Sequence, residues 1–296
     1  MNKIIIGTWP LSGDYGRVSL KSIEDILHKS VESNFFHFDT APSYGNGFSE
    51  FILGKFFAED DNVLIDTKIG NTPFYGKSFD LDNVKRSFDQ SLVRLNRNSI
   101  NTLYLHNPRI SESQYNELIN YALSLKKDKV INNIGISLAK DMDYSSHLLD
   151  KFDVIQDDLN LLTLSLLNRK VSGGTSLVAR SPLASGILSG KITNKTIFSV
   201  DDHRSSWLKE ERLNSILKRI NIIQKEFPDI SLIDLAMQFV LCNKKVDKVI
   251  FGVKSPNHVT VLRKVLGISK ISDNSGRIEH LVNDDFGLIN EKHLTY

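Results

Sequence analysis

The chain has one cysteine, Cys242, in 296 residues, so neither a disulfide framework nor a cysteine-based zinc site can be built from it. Cys242 sits in the apolar stretch LAMQFVLCN, where it is expected to be a buried thiol in a reducing compartment. Long apolar runs are also missing. The N-terminus MNKIIIGTWPLSG offers only about three consecutive strongly apolar residues before Gly7, too few for a signal-peptide core, and no run reaches membrane-spanning length. Charges nearly cancel, with 37 basic and 35 acidic residues and a net charge of +2, and no long single-sign stripe follows a phosphate backbone. The histidines form neither HxH nor HExxH, and His28, His147, His203, His258, His280 and His293 are scattered. These absences predict a soluble, cytoplasmic protein without nucleic-acid, membrane or metal partners.

No composition shift or Pro/Gly/Ser-rich linker divides the chain, so residues 1–296 are expected to form a single domain. Short apolar runs alternate with helix-period segments, which predicts parallel strands joined by crossover helices. The strands are expected at Lys3–Thr8, Phe35–Thr40, Val63–Lys68, Thr102–His106, Asn133–Ser137, Val154–Asn160, Leu177–Ser181 and Lys248–Val253. Their centres are apolar without strict alternation, as in strands covered on both faces. Helices are expected to open at Ser19, Ser49 and Ser231, each a serine ahead of an apolar helical stripe. An open doubly wound sheet would need a glycine-rich phosphate turn after the first strand, and GTWPLSGDYG does not spell GxGxxG. The predicted fold is therefore α/β, a (β/α)8 TIM barrel.

Two segments fall outside the repeat. About Lys191 to Pro228 is an insertion before the seventh barrel helix, with a loop (ITNKTIFSVDDHRSS) and a charged helix (WLKEERLNSILKRINIIQKEF). Ile271 to Tyr296 is a polar, irregular tail expected over or under the barrel. Both are candidate lids, because loops past the strand C-termini line barrel active sites.

Polar residues stand at the C-terminal ends of the second, third and fourth strands. Tyr44 follows a strand in APSYGNG, where Gly45 and Gly47 mark a turn at the barrel mouth. Free tyrosine, with a pKa near 10, needs a neighbouring cation to act as an acid near neutrality, and Lys68 in DTKIG can depress its pKa. A lysine ending an apolar strand is costly unless it meets a carboxylate, and Asp39 in HFDTAP is the natural partner. His106 closes the fourth strand in YLHNP, where it can orient a carbonyl.

The surrounding YGNGFSEFILG matches YGxGxSExxLG, a pattern of the aldo-keto reductase superfamily, and the chain resembles that family along nearly its whole length. The resemblance implies that Asp39, Tyr44, Lys68 and His106 form a catalytic tetrad. A nicotinamide cofactor would pass hydride to an aldehyde or ketone, with Tyr44 donating the proton and His106 bonding the same oxygen. The reverse reaction oxidises an alcohol. A sugar-like substrate fits the polar loops, with Trp9, Tyr15, Phe74, Tyr75 and Trp207 as pocket walls.

By the same resemblance Ser137 and Gln156 hold the nicotinamide carboxamide, while Leu138 replaces the asparagine usual after that serine. The run ARSPLASGILSGK supplies Arg180 near the ring, backbone contacts from Ser181 and Leu183, and Gly186. FGVKSPNHV matches the phosphate-binding turn, with Lys254 and Ser255 at a ribose 2′-phosphate. His258 stands where Arg or Gln is usual, and its protonation below about pH 6.5 is expected to add a second positive group. Val261–Leu262 replaces the acidic-Asn pair that grips adenine. NADP(H) is preferred, with NAD(H) the alternative cofactor.

A second reading is a cofactor-sensing regulatory subunit that binds the nucleotide with little turnover. Relatives often begin with a hairpin that plugs the barrel bottom. This chain starts almost at its first strand, so that end is expected to be open or covered by the tail or another subunit.

Overall fold

The apolar runs become parallel strands hydrogen-bonded edge to edge until the last meets the first. The structure, a computed structural model, describes residues 3–58, 60–73, 76–140, 142–267 and 275–287. In it a closed eight-stranded barrel is built from β1 (Ile4–Gly7), β2 (His37–Asp39), β3 (Leu64–Ile69), β4 (Ile100–His106), β5 (Ile131–Ser137), β6 (Val154–Asp158), β7 (Ser176–Arg180) and β8 (Lys248–Gly252). Closure leaves no unpaired edge. A two-stranded antiparallel hairpin, Asn71–Thr72 with Gly76–Lys77, stands on the loop after β3.

The expected strands are all present, with shifted ends. The second was expected over Phe35–Thr40, but only His37–Asp39 is strand. The Phe35 amide still bonds the Ser30 carbonyl (2.9 Å), closing the preceding helix after Asn34 turns left-handed at φ 62°.

The helices are α1 (Leu20–Glu32), α2 (Phe48–Phe57), α3 (Leu81–Leu95), α4 (Glu112–Lys127), α5 (Ser146–Leu149), α6 (Arg204–Trp207), α7 (Glu210–Glu226), α8 (Leu232–Cys242), α9 (Pro256–Gly267) and α10 (Ser275–Gly287). Ser19 and Ser231 cap α1 and α8, each accepting an amide three residues on at 3.2 Å. Ser49 does not open α2. Gly47, at φ 88°, takes the N-cap, and Ser49 is buried inside the first turn. The helical ring is uneven, because the β5–β6 link carries only the single-turn α5 and the β6–β7 link only a 3-10 turn at Ser165–Asn168.

Between β7 and β8 lie both α7, the charged helix expected in the insertion, and α8, which packs on β8, α9 and α10. The tail is not irregular where it is described. Residues 275–287 form α10 on the flank of the barrel against α8, with Ile278 and Val282 buried. Cys242 is exposed rather than buried, because it is the last residue of α8, where the helix leaves the core.

Two apolar layers hold the fold. Between strands and helices lie Phe38, Ile65, Leu103 and Ile136 facing Ile23, Leu53, Val84 and Leu118. Inside the barrel, Tyr104 packs with Ile5, Val154, Val178 and Ile250. Gly135 makes this possible, since a Cβ there would run into the Tyr104 ring. Below Tyr104, at the N-terminal end, the interior is polar. His37 Nε2 lies 2.8 Å from Asp66 Oδ2, and Asn101 donates to Asp66 Oδ1 at 2.7 Å. Among the described residues no helix is long and apolar enough to cross a membrane.

Candidate active site

At the opposite end, the strand C-termini surround a cavity of about 1770 Å³. It is walled at one end by Trp9, Tyr44 and His106 and at the other by Lys254, His258, Val261 and Val265. Asp39 ends β2, Lys68 is the penultimate residue of β3 and His106 ends β4, so the parallel strands deliver all three to the C-terminal mouth of the barrel. Tyr44 follows on the turn Ser43–Gly47, where Gly45, Asn46 and Gly47 are left-handed and bring the chain back over the mouth.

The Lys68 ammonium is 1% exposed and uses its three donors: Asp39 Oδ1 at 2.6 Å, the Thr40 carbonyl at 2.7 Å and the Tyr44 hydroxyl at 3.2 Å. The Tyr44 oxygen accepts that bond, which leaves its own hydrogen available to a group in the cavity. Burial opposes charge on Lys68, but Asp39 and Tyr44 outweigh it and its pKa is raised. Burial likewise raises Asp39 against the pull of Lys68. Tyr44 departs from expectation. Its pKa is raised, not depressed, because burial of the phenol outweighs the favourable charge of Lys68.

His106 stands edge-on to Tyr44, with ring centroids 6.1 Å apart. Burial first, then the charges of Lys68, Arg180 and Lys77, hold it well below its ordinary value, so it is neutral at pH 7. Among the described residues, its Nδ1 is buried without a hydrogen-bond partner.

Ser137 and Gln156 meet on the cavity floor, already tied together. Ser137 donates to Gln156 Oε1 at 2.8 Å, Gln156 donates to Asp39 Oδ2 at 3.0 Å, and Arg180 donates to Ser137 Oγ at 2.8 Å. Arg180 also bonds Asp158 (3.0 Å), Asn107 (3.2 Å) and the Leu138 carbonyl (2.8 Å). The side chain at 138 is apolar and buried, and only its backbone takes part. Beyond Arg180, Ser181, Ala184, Ser185 and Gly186 have φ of 55°, 48°, 56° and 87°, bending the chain sharply along the cavity, with Leu183 on the wall between them.

At the far end the Lys254 ammonium donates to the Tyr15 carbonyl, and the Lys254 amide donates to His258 Nδ1 at 3.3 Å. His258 therefore presents an acceptor there. Burial, then Lys191 and Lys254, lower its pKa, so the expected positive charge is displaced to lower pH. Ser255 is not on the cavity wall, and its carbonyl accepts from the His258 amide at 3.0 Å.

Trp9, Tyr15 and Trp207 line the cavity. Phe74 and Tyr75 lie outside the described residues. Trp9 stacks over Tyr44 at 6.0 Å and donates to Asp14 at 2.5 Å. The insertion does border the cavity: Asp202 pairs with Tyr15 as an isolated bridge, and Arg204 bonds both Asp202 oxygens and the Ser185 carbonyl. Sequence reasoning did not single out Asp157, Asp158, Lys140, Asn107 or Arg204. The signal was the DD pair of VIQDDLN, two carboxylates in an apolar strand that must find cations, here Arg169 and Arg180. Among the described residues no group of His, Cys, Asp or Glu is placed to hold a metal.

The cavity wall includes Ser137, Gln156, residues of the 181–186 bend, Lys191, Lys254 and the apolar Val261 and Leu262. A parallel barrel with a Tyr–Lys–Asp–His mouth beside such a cavity defines a class of redox enzyme. The chain belongs to the Aldo/keto reductase family, whose model matches residues 3–281, and it is an oxidoreductase. Members of this family bind nicotinamide cofactors.

The chain is 25% identical to aldo-keto reductase YhdN of Bacillus subtilis (strain 168), covering 97% of this chain and 92% of that one. It is 22% identical to a probable voltage-gated potassium channel subunit beta of Arabidopsis thaliana, over 90% of this chain and 88% of the relative. The glycerol dehydrogenase of Gluconobacter oxydans superposes with a TM-score of 0.77 at 21% identity, covering 96% of this chain and 92% of that one.

Proposed function

We propose that the protein is an NADP(H)-dependent reductase of aldehydes or ketones, with Tyr44 as proton donor and residues 1–296 acting as one domain. The observation that carries this reading is the chain of contacts from Asp39 to Lys68 (2.6 Å) to Tyr44 (3.2 Å), opening on the cavity that His106 shares. A nicotinamide nucleotide held along the cavity would supply the hydride that reduces a carbonyl carbon. The Tyr44 hydroxyl and neutral His106 hold the carbonyl oxygen, and Tyr44 gives up its proton as negative charge develops there. Lys68, held charged by Asp39, stabilises the phenolate that results. Trp9 and Trp207 keep water from one side.

Ser137, Gln156 and Arg180 would hold the nicotinamide end, Ser181, Leu183 and Gly186 the middle, and Lys254 the ribose phosphate. Lys191 and Lys254 together favour the extra charge of NADP over NAD. Screening the purified protein for absorbance loss at the NADPH band against aldehydes, ketones and sugars tests the reading. Turnover of none, or turnover undiminished in Tyr44→Phe, would sink it. The resemblance to a potassium channel β subunit favours a second reading, nucleotide binding with little turnover. Tight NADPH binding without reduction of any carbonyl would select it.

A further inference from the structure

Glu50 is a buried carboxylate that the mechanism leaves unused. It is 0% exposed and lies in the first turn of α2, just past the Gly47 N-cap that ends the turn carrying Tyr44. Its two oxygens go to two different elements. Oε1 accepts from the Thr67 hydroxyl at 2.5 Å, and Oε2 accepts from Arg94 Nε at 2.8 Å. Thr67 immediately precedes Lys68 on β3, and successive side chains of a strand point to opposite faces. Thr67 therefore turns to the helix layer while Lys68 turns to the mouth. Arg94, in the last turn of α3, lies flush against the same tyrosine-bearing turn: a Cβ on Gly47 would come within 2.7 Å of Arg94 Cδ and 2.9 Å of Nε.

Resting on the reductase reading, we propose that Glu50 is a positioning residue, which keeps the Tyr44 hydroxyl in reach of Lys68 by fastening the start of α2 to Thr67 and Arg94. Ile52, Leu53 and Phe57 bury α2 but fix little of its position along the strand, because apolar attraction is non-directional. The Glu50 bonds are directional, and a carboxylate acceptor makes them stronger than neutral ones. The turn follows the start of α2 closely, since the Ser49 amide donates to the Tyr44 carbonyl at 3.3 Å and the Phe48 amide to the Gly45 carbonyl at 3.1 Å. The 3.2 Å contact between Tyr44 and Lys68 is thus set from behind, by a side chain that never meets the cavity.

The test is Glu50→Gln, which keeps the shape but turns one accepting oxygen into a donor, so that one of the two bonds is lost. With NADPH and 4-nitrobenzaldehyde, kcat should fall about tenfold or more, within the roughly hundredfold that a misplacement of about 1 Å costs. NADPH affinity, read from tryptophan fluorescence, should stay within about twofold. A longer Tyr44–Lys68 contact leaves the phenolate less stabilised, so oxidation of 4-nitrobenzyl alcohol by NADP should need more alkaline buffer, in the direction of Lys68→Met but by less. The charged groups around Tyr44 are Lys68, Asp39 and Arg180, while Tyr15 and His106 are neutral there, and only the Lys68 contact is made through the strand that Glu50 holds. Thr67→Val should reproduce both changes with Glu50 in place, and Thr67→Ser, which keeps the hydroxyl, should restore them.

A lower melting temperature with kcat and the oxidation profile unmoved, in either Glu50→Gln or Thr67→Val, makes Glu50 a structural tie and overturns the proposal while leaving the reductase reading intact. If the wild type reduces no aldehyde, the reductase reading fails and the NMR resonance of the Tyr44 ζ carbon, assigned by its loss in Tyr44→Phe, decides the positioning. It should move in both variants toward its place in Lys68→Met. An unmoved resonance would reject the role independently of turnover, and should Glu50→Gln fail to fold, Thr67→Val carries the same readings.

Discussion

The barrel interior has a polar cluster at each end, built on the same strands two residues apart. Asp39 and Lys68 sit at the mouth, and His37 and Asp66 lie just below them on β2 and β3. Both clusters pair a carboxylate with a basic group at hydrogen-bond distance, 2.6 Å above and 2.8 Å below. They differ in what lies beyond the pair. Above, Lys68 passes its charge to a tyrosine that faces the cavity. Below, Asp66 is closed off by Asn101, and Tyr104 separates the two layers. A buried carboxylate bonded to a basic side chain is therefore no sign of chemistry by itself. The mouth becomes a reactive site because its third partner can exchange a proton with a ligand.

The contrast is sharpest in Tyr44→Phe. Carbonyl reduction should fall by about 10²–10⁴-fold, the usual contribution of general acid catalysis, while the melting temperature holds. Steady-state kinetics beside a thermal melt checks this. Lys68→Met should cost nearly as much and move the pH profile. In the wild type burial keeps Tyr44 protonated and His106 neutral through pH 7–8, so reduction should be flat there. Removing the cation raises Tyr44 further, so alcohol oxidation, which needs the phenolate, should require more alkaline buffer. An unmoved oxidation profile would show that Lys68 does not act through Tyr44.

The lower cluster should answer in stability instead. Asp66→Ala removes an acceptor from both His37 and Asn101, and leaving a buried donor unsatisfied costs about 1–3 kcal/mol. Urea unfolding should show that loss while the pH profile of turnover stays in place. A displaced profile would mean that the two ends are electrically coupled, and the contrast drawn above would collapse. The smallest effect is expected at Lys254→Ala, about 1.5 kcal/mol weaker NADPH binding by fluorescence titration. Part of that loss should be shared by NADH, because the same ammonium also ties down the Tyr15 carbonyl.

Much of this was legible in the sequence where one physical requirement dominates. Strands buried on both faces must be apolar, so Ile4–Ile6 and Leu103–Leu105 declared themselves, and residues just past strand ends could be read as a mouth. Strand lengths were less legible, because Phe35 is apolar whether it lies in β2 or closes α1. The direction of the Tyr44 shift was missed because a neighbour in sequence order says which charge is near but not how deeply the phenol is buried. His258 was misread for a similar reason: its role follows from the Lys254 amide it faces, a contact set by the turn before α9. The lower cluster went unread because His37 and Asp66 look like ordinary strand flanks until the pairing of β2 with β3 brings them together.

The bend at Ser181–Gly186 has a consequence for ligand exchange. Fixing a backbone residue in one conformation costs about 1–2 kcal/mol of entropy, and left-handed geometry at a residue with a side chain adds to that. In this turn three such residues are already locked by bonds between Ser181 and Ala184 and between Leu183 and Gly186. The disorder that a flexible loop would surrender on meeting its ligand has been surrendered during folding. A ligand lying along this wall meets a surface already shaped, so its affinity reflects its contacts with little lost to ordering the chain.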